Sequence, residues 1–434
     1  MKSHCSVESL FLDVCGEVLE SQDGFSVRGE LGVFSTAMVT WLGIQSRLGK
    51  QTLNDALSVM VDRIQTGDIS SLVSRPGKKL REGNVSLNSG GISRAQARVS
   101  EELIKELYKV GTQNIETALG RDSNSSRPVY LIDGVVFTAA HSEQTVEEYG
   151  QTKNRDKKLH YPRFRVVSAH NLETGICTSF ALGTITEHEI VLAKTLVEEL
   201  PKGAIIVMDR GFSSPSLIQL ANKRGITVVV RLKESLGKKF LASRKNEADV
   251  TWTGATAGEV QGRAFHFESK TPGYRSSTFY LFSNTGLKSS ELEELYLQRV
   301  QIETAIRHLK QTLSLSFIRA KTPAAIHKEL YLAYLTFNLI RAVMEDTARA
   351  ADISSSRLSF TATVNLCRSY ANIFLRATPA RQQGIIARFR EHHLQTKLPM
   401  RKSVRSYPRE VKMPRDKYPL ASTVELSKNE KEGK

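Results

Sequence analysis

The chain has 434 residues, 40% hydrophobic and 24% charged, a globular composition long enough for two or three domains. Lys plus Arg outnumber Asp plus Glu by 61 to 45, a net charge of +16, which favours a polyanionic partner. No run of about 18 apolar residues excludes Asp, Glu, Lys and Arg, so a membrane span is not expected, and the N-terminus shows no charged stretch followed by an apolar h-region. The four cysteines form no C-x-x-C pair and read as free thiols in a reducing cytoplasm, without a zinc module.

The first 125 residues read as helical, with segments expected at 7–19, 36–42 and 52–64. Ser93 is placed to cap a further helix on which Val99, Leu103, Leu107 and Val110 recur at helical intervals. Arg94, Gln96 and Arg98 then lie on its leading turns, where cations and amides suit DNA phosphates and base edges as well as a plain solvated face. Arg75, Lys78, Lys79 and Arg81 sit among Pro and Gly, as in a basic linker or DNA-tracking loop, and the polar stretch 121–127 makes a domain boundary.

Beyond that boundary the texture turns apolar and β-branched. A short buried strand at 129–132 is expected to end on Asp133, followed by Gly134; alternating segments at 163–169 and 176–181 continue an antiparallel meander. Thr186 and Glu189 suggest a capping box for a helix at 187–200, which makes Glu187, His188 and Glu189 a helix start and not a metal cluster. A second buried strand at 204–208 ends on Asp209, with Arg210 and Gly211 next. A helix at 215–223 and a strand at 227–232 complete a β-β-β-α-β-α-β order, and the segment at about 234–288 reads as a β-rich insertion.

A helix at about 290–313 then carries Tyr296, Arg299, Glu303 and Lys310. At roughly 100° per residue all four fall within about 60° of arc, beside an apolar stripe. A carboxylate flanked by two cations and a phenol is an unusual grouping for a solvated face, although an amphipathic helix with an Arg299–Glu303 pair is the plain alternative. Ser290 and Glu293 suggest its capping box. Residues 323–375 read as helical, centred on the apolar run from Leu330 to Ile340, and 376–434 as a basic, proline-broken, partly disordered tail.

The spacing Tyr296, Arg299, Glu303, Lys310 reproduces without a gap the YREK signature, so the chain resembles the DDE transposases of bacterial insertion sequences in the type-four group. The resemblance implies an α/β, ribonuclease H-like catalytic core at 126–322 with a β-rich insertion, an α-helical N-terminal DNA-binding domain over 1–125 and a helical C-terminal region. Asp133, Asp209 and Glu303 would be the catalytic, metal-binding carboxylates: hard oxygen ligands for two Mg2+ ions about 4 Å apart, with Mn2+ able to substitute. It implies DNA contacts for Tyr296, Arg299, Lys310, Arg210, Arg231 and Lys233, and base stacking by an aromatic of the insertion, with Phe279 the best-aligned candidate and Tyr280 or Trp252 alternatives. The partners implied are double-stranded DNA, as element ends and target, and a second copy of the chain, with no membrane, in a bacterial cytoplasm. The reaction implied is end cleavage, through a hairpin, and joining of 3′-hydroxyls to target DNA. A ribonuclease H-like nuclease and a non-catalytic DNA-binding relative are the competing readings.

Overall fold

In the computed structural model the described residues are 6–25, 34–66, 78–82, 84, 86, 89–119, 127–151, 161–241, 246–254, 258–270, 277–316 and 318–400. Most of the basic stretch 74–81, the boundary at 121–126, the Pro-Gly turn at 271–275 and the part of the expected 376–434 tail beyond 400 lie outside them, whereas Pro379–Leu394 of that tail is a helix that buries Ile386, Phe389 and His393 and so corrects the expectation there.

The N-terminal third is helical: α1 (Val7–Ser21), α2 (Thr36–Gly49), α3 (Leu53–Gln65), the single turn α4 (Lys78–Arg81), α5 (Ser89–Arg98) and α6 (Glu101–Ala118). Side-chain oxygens start these helices: Ser35 accepts from the Met38 N–H at 3.2 Å, Thr52 and Asp55 cap each other reciprocally, and Ser100 accepts from the Leu103 N–H at 3.1 Å. Ser93 is therefore not a cap; it lies inside α5, and Arg94, Gln96 and Arg98 belong to a short helix preceding α6.

The sheet begins with β1 (Val129–Thr138), then α7 (Glu143–Tyr149), β2 (Arg163–Asn171), β3 (Cys177–Thr184), α8 (Glu189–Glu199), β4 (Ile205–Met208), α9 (Pro215–Lys223), β5 (Thr227–Arg231) and α10 (Glu234–Phe240). It continues with β6 (Glu247–Thr253), β7 (Glu259–Ser269) and β8 (Ser277–Ser283). All eight strands form one sheet in the order β3-β2-β1-β4-β5-β8-β7-β6. β1 pairs antiparallel with β2 and parallel with β4, and β4 pairs parallel with β5. The three strands of the expected insertion are antiparallel and extend the sheet past β5.

Two expectations are corrected here. Strand β1 runs through Asp133 to Thr138, because Val135 and Phe137 continue the alternation of buried side chains past the Asp-Gly pair. Helix α8 starts at Glu189, capped by the His188 ring nitrogen accepting from the Ile190 N–H at 3.3 Å; the Thr186 hydroxyl bonds instead to Thr184.

After the sheet come α11 (Ser289–Leu297), α12 (Val300–Arg307), a π-helical turn over His308–Thr312, then α13 (Pro323–Ala350), α14 (Phe360–Leu375) and α15 (Pro379–Leu394). Helix α13 is buried on nearly every side between Leu330 and Val343. Side chains of α1, α2, α6, α13, α14 and one face of β1–β3 join one apolar core, so the N-terminal helices fold onto the sheet. Gly111 of α6 lets Cys15 and Leu335 approach; a Cβ there would lie 2.8 Å from the Cys15 sulfur. No helix among the described residues is long and apolar enough to cross a membrane.

Burial also holds three histidines neutral. Those of His170, His308 and His393 are pulled down to about 4 by desolvation. Both His393 ring nitrogens are satisfied, by Thr363 at 2.7 Å and Thr347 at 3.0 Å. Between the unfolded value near 6.5 and about 4 the unfolded chain takes up protons that the native state refuses, so stability falls as pH falls through that window. At pH 5 the loss should be about 2 kcal/mol for each fully buried histidine. Melting at pH 7.5 and pH 5 checks this: His393→Gln should melt lower at pH 7.5 yet lose less on acidification. An unchanged acid-dependent fall would assign the effect to carboxylates.

Candidate active site

Alternation along parallel strands builds the site. Leu131, Val207 and Val229 belong to one apolar cluster with Leu292, Leu295, Tyr296 and Ile302, on the sheet face covered by α11 and α12. Residues two further on point to the same face, which puts Asp133, Asp209 and Arg231 side by side on β1, just past β4 and on β5. Neighbouring strands about 4.8 Å apart bring the two aspartates close without special turns.

The covering element is not the single regular helix expected at 290–313. The Arg299 N–H bonds to the Tyr296 carbonyl and the Ile302 N–H to the Arg299 carbonyl, so the chain tightens between α11 and α12 before loosening into the π turn. α11 also starts two residues earlier than the Ser290–Glu293 box implies: the Lys288 N–H donates to the Glu291 carboxylate at 2.7 Å. The tight turn aims Arg299 at the sheet. Its Nη1 lies 3.0 Å from Asp133 Oδ2, and its Nη2 bonds to Glu303 Oε1 one turn along. The Tyr296 hydroxyl donates to Asp209 Oδ1 at 3.3 Å.

Asp133, Asp209, Tyr296, Arg299 and Glu303 thus meet at one end of the sheet, and Arg231 reaches the same group through Tyr296. Burial raises the Asp133 carboxyl above the usual range, with Asp209 and Glu303 adding to the effect and Arg299 and the Gly134 N–H, 2.8 Å away, opposing it. Burial pulls Arg299 down, but the Tyr296 phenol and the three carboxylates outweigh it and raise it. Burial first, then Asp209, raises the Tyr296 phenol. These groups feel one another's charge.

The remaining expected site residues are distributed otherwise. Lys310 lies on the π turn with its ammonium 5.5 Å from the centre of the Phe137 ring. Phe137 is four residues beyond Asp133 on the same strand face, about 13 Å along the backbone, so Lys310 stands beside the part of β1 beyond Asp133. Burial pulls its ammonium down. Arg210 and Lys233 are exposed beside the strand ends.

Phe279 does not fit its expected role. It is 3% exposed, with its ring 5.5 Å from Phe267 and 5.1 Å from Tyr296, because its position on β8 faces the core under α11. Trp252 is also core, against Phe240 and Phe282. Tyr280, on the opposite face of β8, is only partly buried.

One residue near the site was invisible in the sequence. The Glu189 carboxylate lies under the opposite face of β1, where a Cβ on Gly134 would come within 2.9 Å of it and one on Gly211 within 3.3 Å. Arg165 lies 3.3 Å from it. Gly134, next after Asp133, and Gly211, two residues after Asp209, thus leave room for a carboxylate beneath the two aspartates. Nothing in the spacing of Glu189 marks this, because the approach depends on how α8 packs across β1 and β4.

Three hard carboxylates, Asp133 within β1, Asp209 just past β4 and Glu303 on the covering helix α12, are a donor set suited to divalent Mg2+ or Mn2+. A cation, Arg299, already lies between two of them, which fits a locus of concentrated negative charge. Among the described residues, no three Asp, Glu, His or Cys side chains stand close enough to share one ion as placed. The donors converge without closing.

A transposase DDE domain model matches residues 124–339. The InsG transposase of insertion sequence element IS4 from Escherichia coli K12 is 24% identical over 346 residues, which is 76% of this chain and 78% of that protein. A Synechocystis protein assigned to insertion sequence element IS4SA is 28% identical over 194 residues, 42% of this chain and 54% of its own. Among solved structures, a piggyBac transposase synaptic complex with hairpin DNA aligns over 88% of this chain and 84% of its own, with 11% identity and a TM-score of 0.43. The matched domain spans both aspartates and the whole Tyr296-to-Lys310 stretch, and with these IS4 relatives it means that the chain belongs to the DDE transposases of the IS4 group, enzymes that act on DNA.

Proposed function

We propose that this transposase binds the ends of its insertion sequence, cleaves them by metal-dependent phosphoryl transfer through a hairpin intermediate, and joins the 3′-hydroxyl ends to target DNA. The observation that carries this reading is the meeting of Asp133, Asp209 and Glu303 with Tyr296 and Arg299 on one sheet face. The strand order around β1, β4 and β5 supports a ribonuclease H-like core, with β6 to β8 as the insertion.

In this reading Asp133, Asp209 and Glu303 hold two Mg2+ ions. When bound, the ions supply activation of the attacking oxygen and charge stabilisation of the leaving one. Tyr296 and Arg299 donate to phosphates of the strand being bent, as Arg231 does from β5, while Lys310, further along β1, holds the transferred strand. Arg210 and Lys233 lie at the exposed margin, where they serve as phosphate contacts. With Phe279 and Trp252 in the core, Tyr280 is the remaining candidate for a base extruded from the bent terminus. Two ends cleaved together call for at least two copies of the chain.

A duplex carrying the element's terminal repeat tests the reading. Mg2+ or Mn2+ should give a nick exposing a 3′-hydroxyl at the element boundary, followed by hairpin-closed ends on denaturing gels. Equal cleavage in excess chelator would overturn it.

Charge outside the catalytic face supplies the longer-range attraction. Arg94 and Arg98 are exposed on α5. If both contact phosphate, replacing them with Ala should lower the magnitude of the slope of log K against log salt by about 2. A slope unchanged in the double variant would remove α5 from the DNA footprint.

A further inference from the structure

We propose that the Arg299 guanidinium is a resident counter-ion of the carboxylate cluster, displaced when element-end DNA binds, so that DNA binding and metal loading are coupled. This rests on the metal-binding reading above and adds to it an order of events, DNA before metal.

The guanidinium does not form a simple one-turn helix pair. It spans two carboxylates from different elements, with Nη1 3.0 Å from Asp133 on β1 and Nη2 bonded to Glu303 on α12. Its side chain is 13% exposed, so the guanidinium and its Asp133 partner are largely shielded from solvent while Glu303 reaches it, 52% exposed. Asp209, the third carboxylate, is held by the Tyr296 hydroxyl at 3.3 Å. Each of the three carboxylates therefore already has a protein donor, and the donors come from the two positions that precede Glu303 in the same motif.

Arg is not deprotonated in proteins, so this cation can leave the cluster only by moving. Adding divalent ions while it remains would place like charges together in a partly buried site, which is unfavourable. The side chain is long, and it springs from the tight turn between α11 and α12, with Tyr296 and Arg231 beside it. A phosphate at that margin offers the guanidinium a planar, charge-matched partner. Transfer of Arg299 to DNA would free Asp133 and Glu303 together. Linkage then requires reciprocity: DNA raises metal affinity, and metal raises DNA affinity by the same factor. The consequence is that the free transposase stays poorly loaded and acquires its metals on the proper substrate.

Mn2+ binding to the full-length chain, measured by calorimetry and by the free-ion electron paramagnetic resonance signal, tests this. Without DNA, Arg299→Gln should bind Mn2+ about tenfold more tightly than the natural chain, with Arg299→Lys between them. A nick-resistant end duplex, with a non-hydrolysable linkage at the scissile position, should tighten Mn2+ binding to the natural chain by about the same factor and to Arg299→Gln far less. Equal or weaker binding by both variants without DNA overturns the counter-ion proposal. A circular dichroism melt accompanies each variant, and Arg299→Lys, which keeps the cation, decides the matter if Arg299→Gln fails to fold. Asp133→Asn separates the two ideas: if it leaves Mn2+ binding of Arg299→Gln unaltered, the metal site itself is wrong, whereas loss of binding there with no gain from Arg299→Gln alone condemns only the counter-ion.

Discussion

Glu303→Gln should abolish end cleavage while leaving recognition of the element end nearly intact. The amide carbonyl can still accept from Arg299, so the tie across α12 survives and only the charge is lost. Glu303 is the most exposed member of the cluster, 52% by side chain against 21% for Asp133, and changing it should disturb packing least. Loss of one carboxylate ligand misplaces the ions and removes charge stabilisation at the transferred phosphoryl group, a rate loss on the order of 10³-fold or more. Affinity for the end, dominated by phosphate contacts elsewhere, should change by no more than about threefold. Single-turnover cleavage and gel-shift titration of the same preparation measure both quantities. Clear end cleavage by Glu303→Gln in Mg2+ would remove Glu303 from the metal site.

The second large effect is expected in stability, at Arg341. This α13 side chain donates to the Thr174 carbonyl at 2.9 Å, to Ser355 at 2.9 Å and to Glu345 at 3.0 Å, tying the β2–β3 turn to the turn after α13. The fit is tight enough that Gly175, at φ +68°, has the guanidinium 2.5 Å from where a Cβ would sit. Burial raises the Glu345 carboxyl above its usual range, and Arg341 and Ser355 oppose that rise. Arg341→Ala leaves Glu345 buried and unpaired, at a cost of about 3–5 kcal/mol. For domains of this size class the melting temperature should drop on the order of 10 °C. Replacing both partners, as Arg341→Met with Glu345→Leu, should cost less than the single change because no charge is stranded. If the single variant melts within about 2 °C of the natural chain, water reaches Glu345 and the tie contributes little.

The sequence by itself singled out the residues that the fold brings together, and most of the elements. Asp133 and Asp209 stand next to short apolar runs, whose length, β-branched content and flanking Gly and Pro favour buried strands over helix. The Tyr296-to-Lys310 spacing is local too, and a covalent interval survives any packing. The capping residues were less legible: Ser93, Thr186 and Ser290 fit the local pattern, yet the observed helices start at Ser89, Glu189 and Ser289.

Only the tertiary structure decided the rest. Whether Ser93 or Ser100 caps a helix, and whether β1 ends at Asp133 or runs to Thr138, depends on what covers those residues, and local propensity is silent about that. Phe279 and Tyr280 are adjacent aromatics of one strand; which faces the core follows from the register of β8 on β5 and β7. Lys310 stands beside Phe137, further along β1 than Asp133, and because the chain tightens at Arg299 and widens at His308 a constant 100° step does not hold from Tyr296 to Lys310. The Arg299 bridge from α12 to Asp133 and the approach of Glu189 to Gly134 join residues far apart in the chain. A sequence can supply each of those groups, but their meeting is a property of how α8, α11 and α12 pack on the two faces of one sheet.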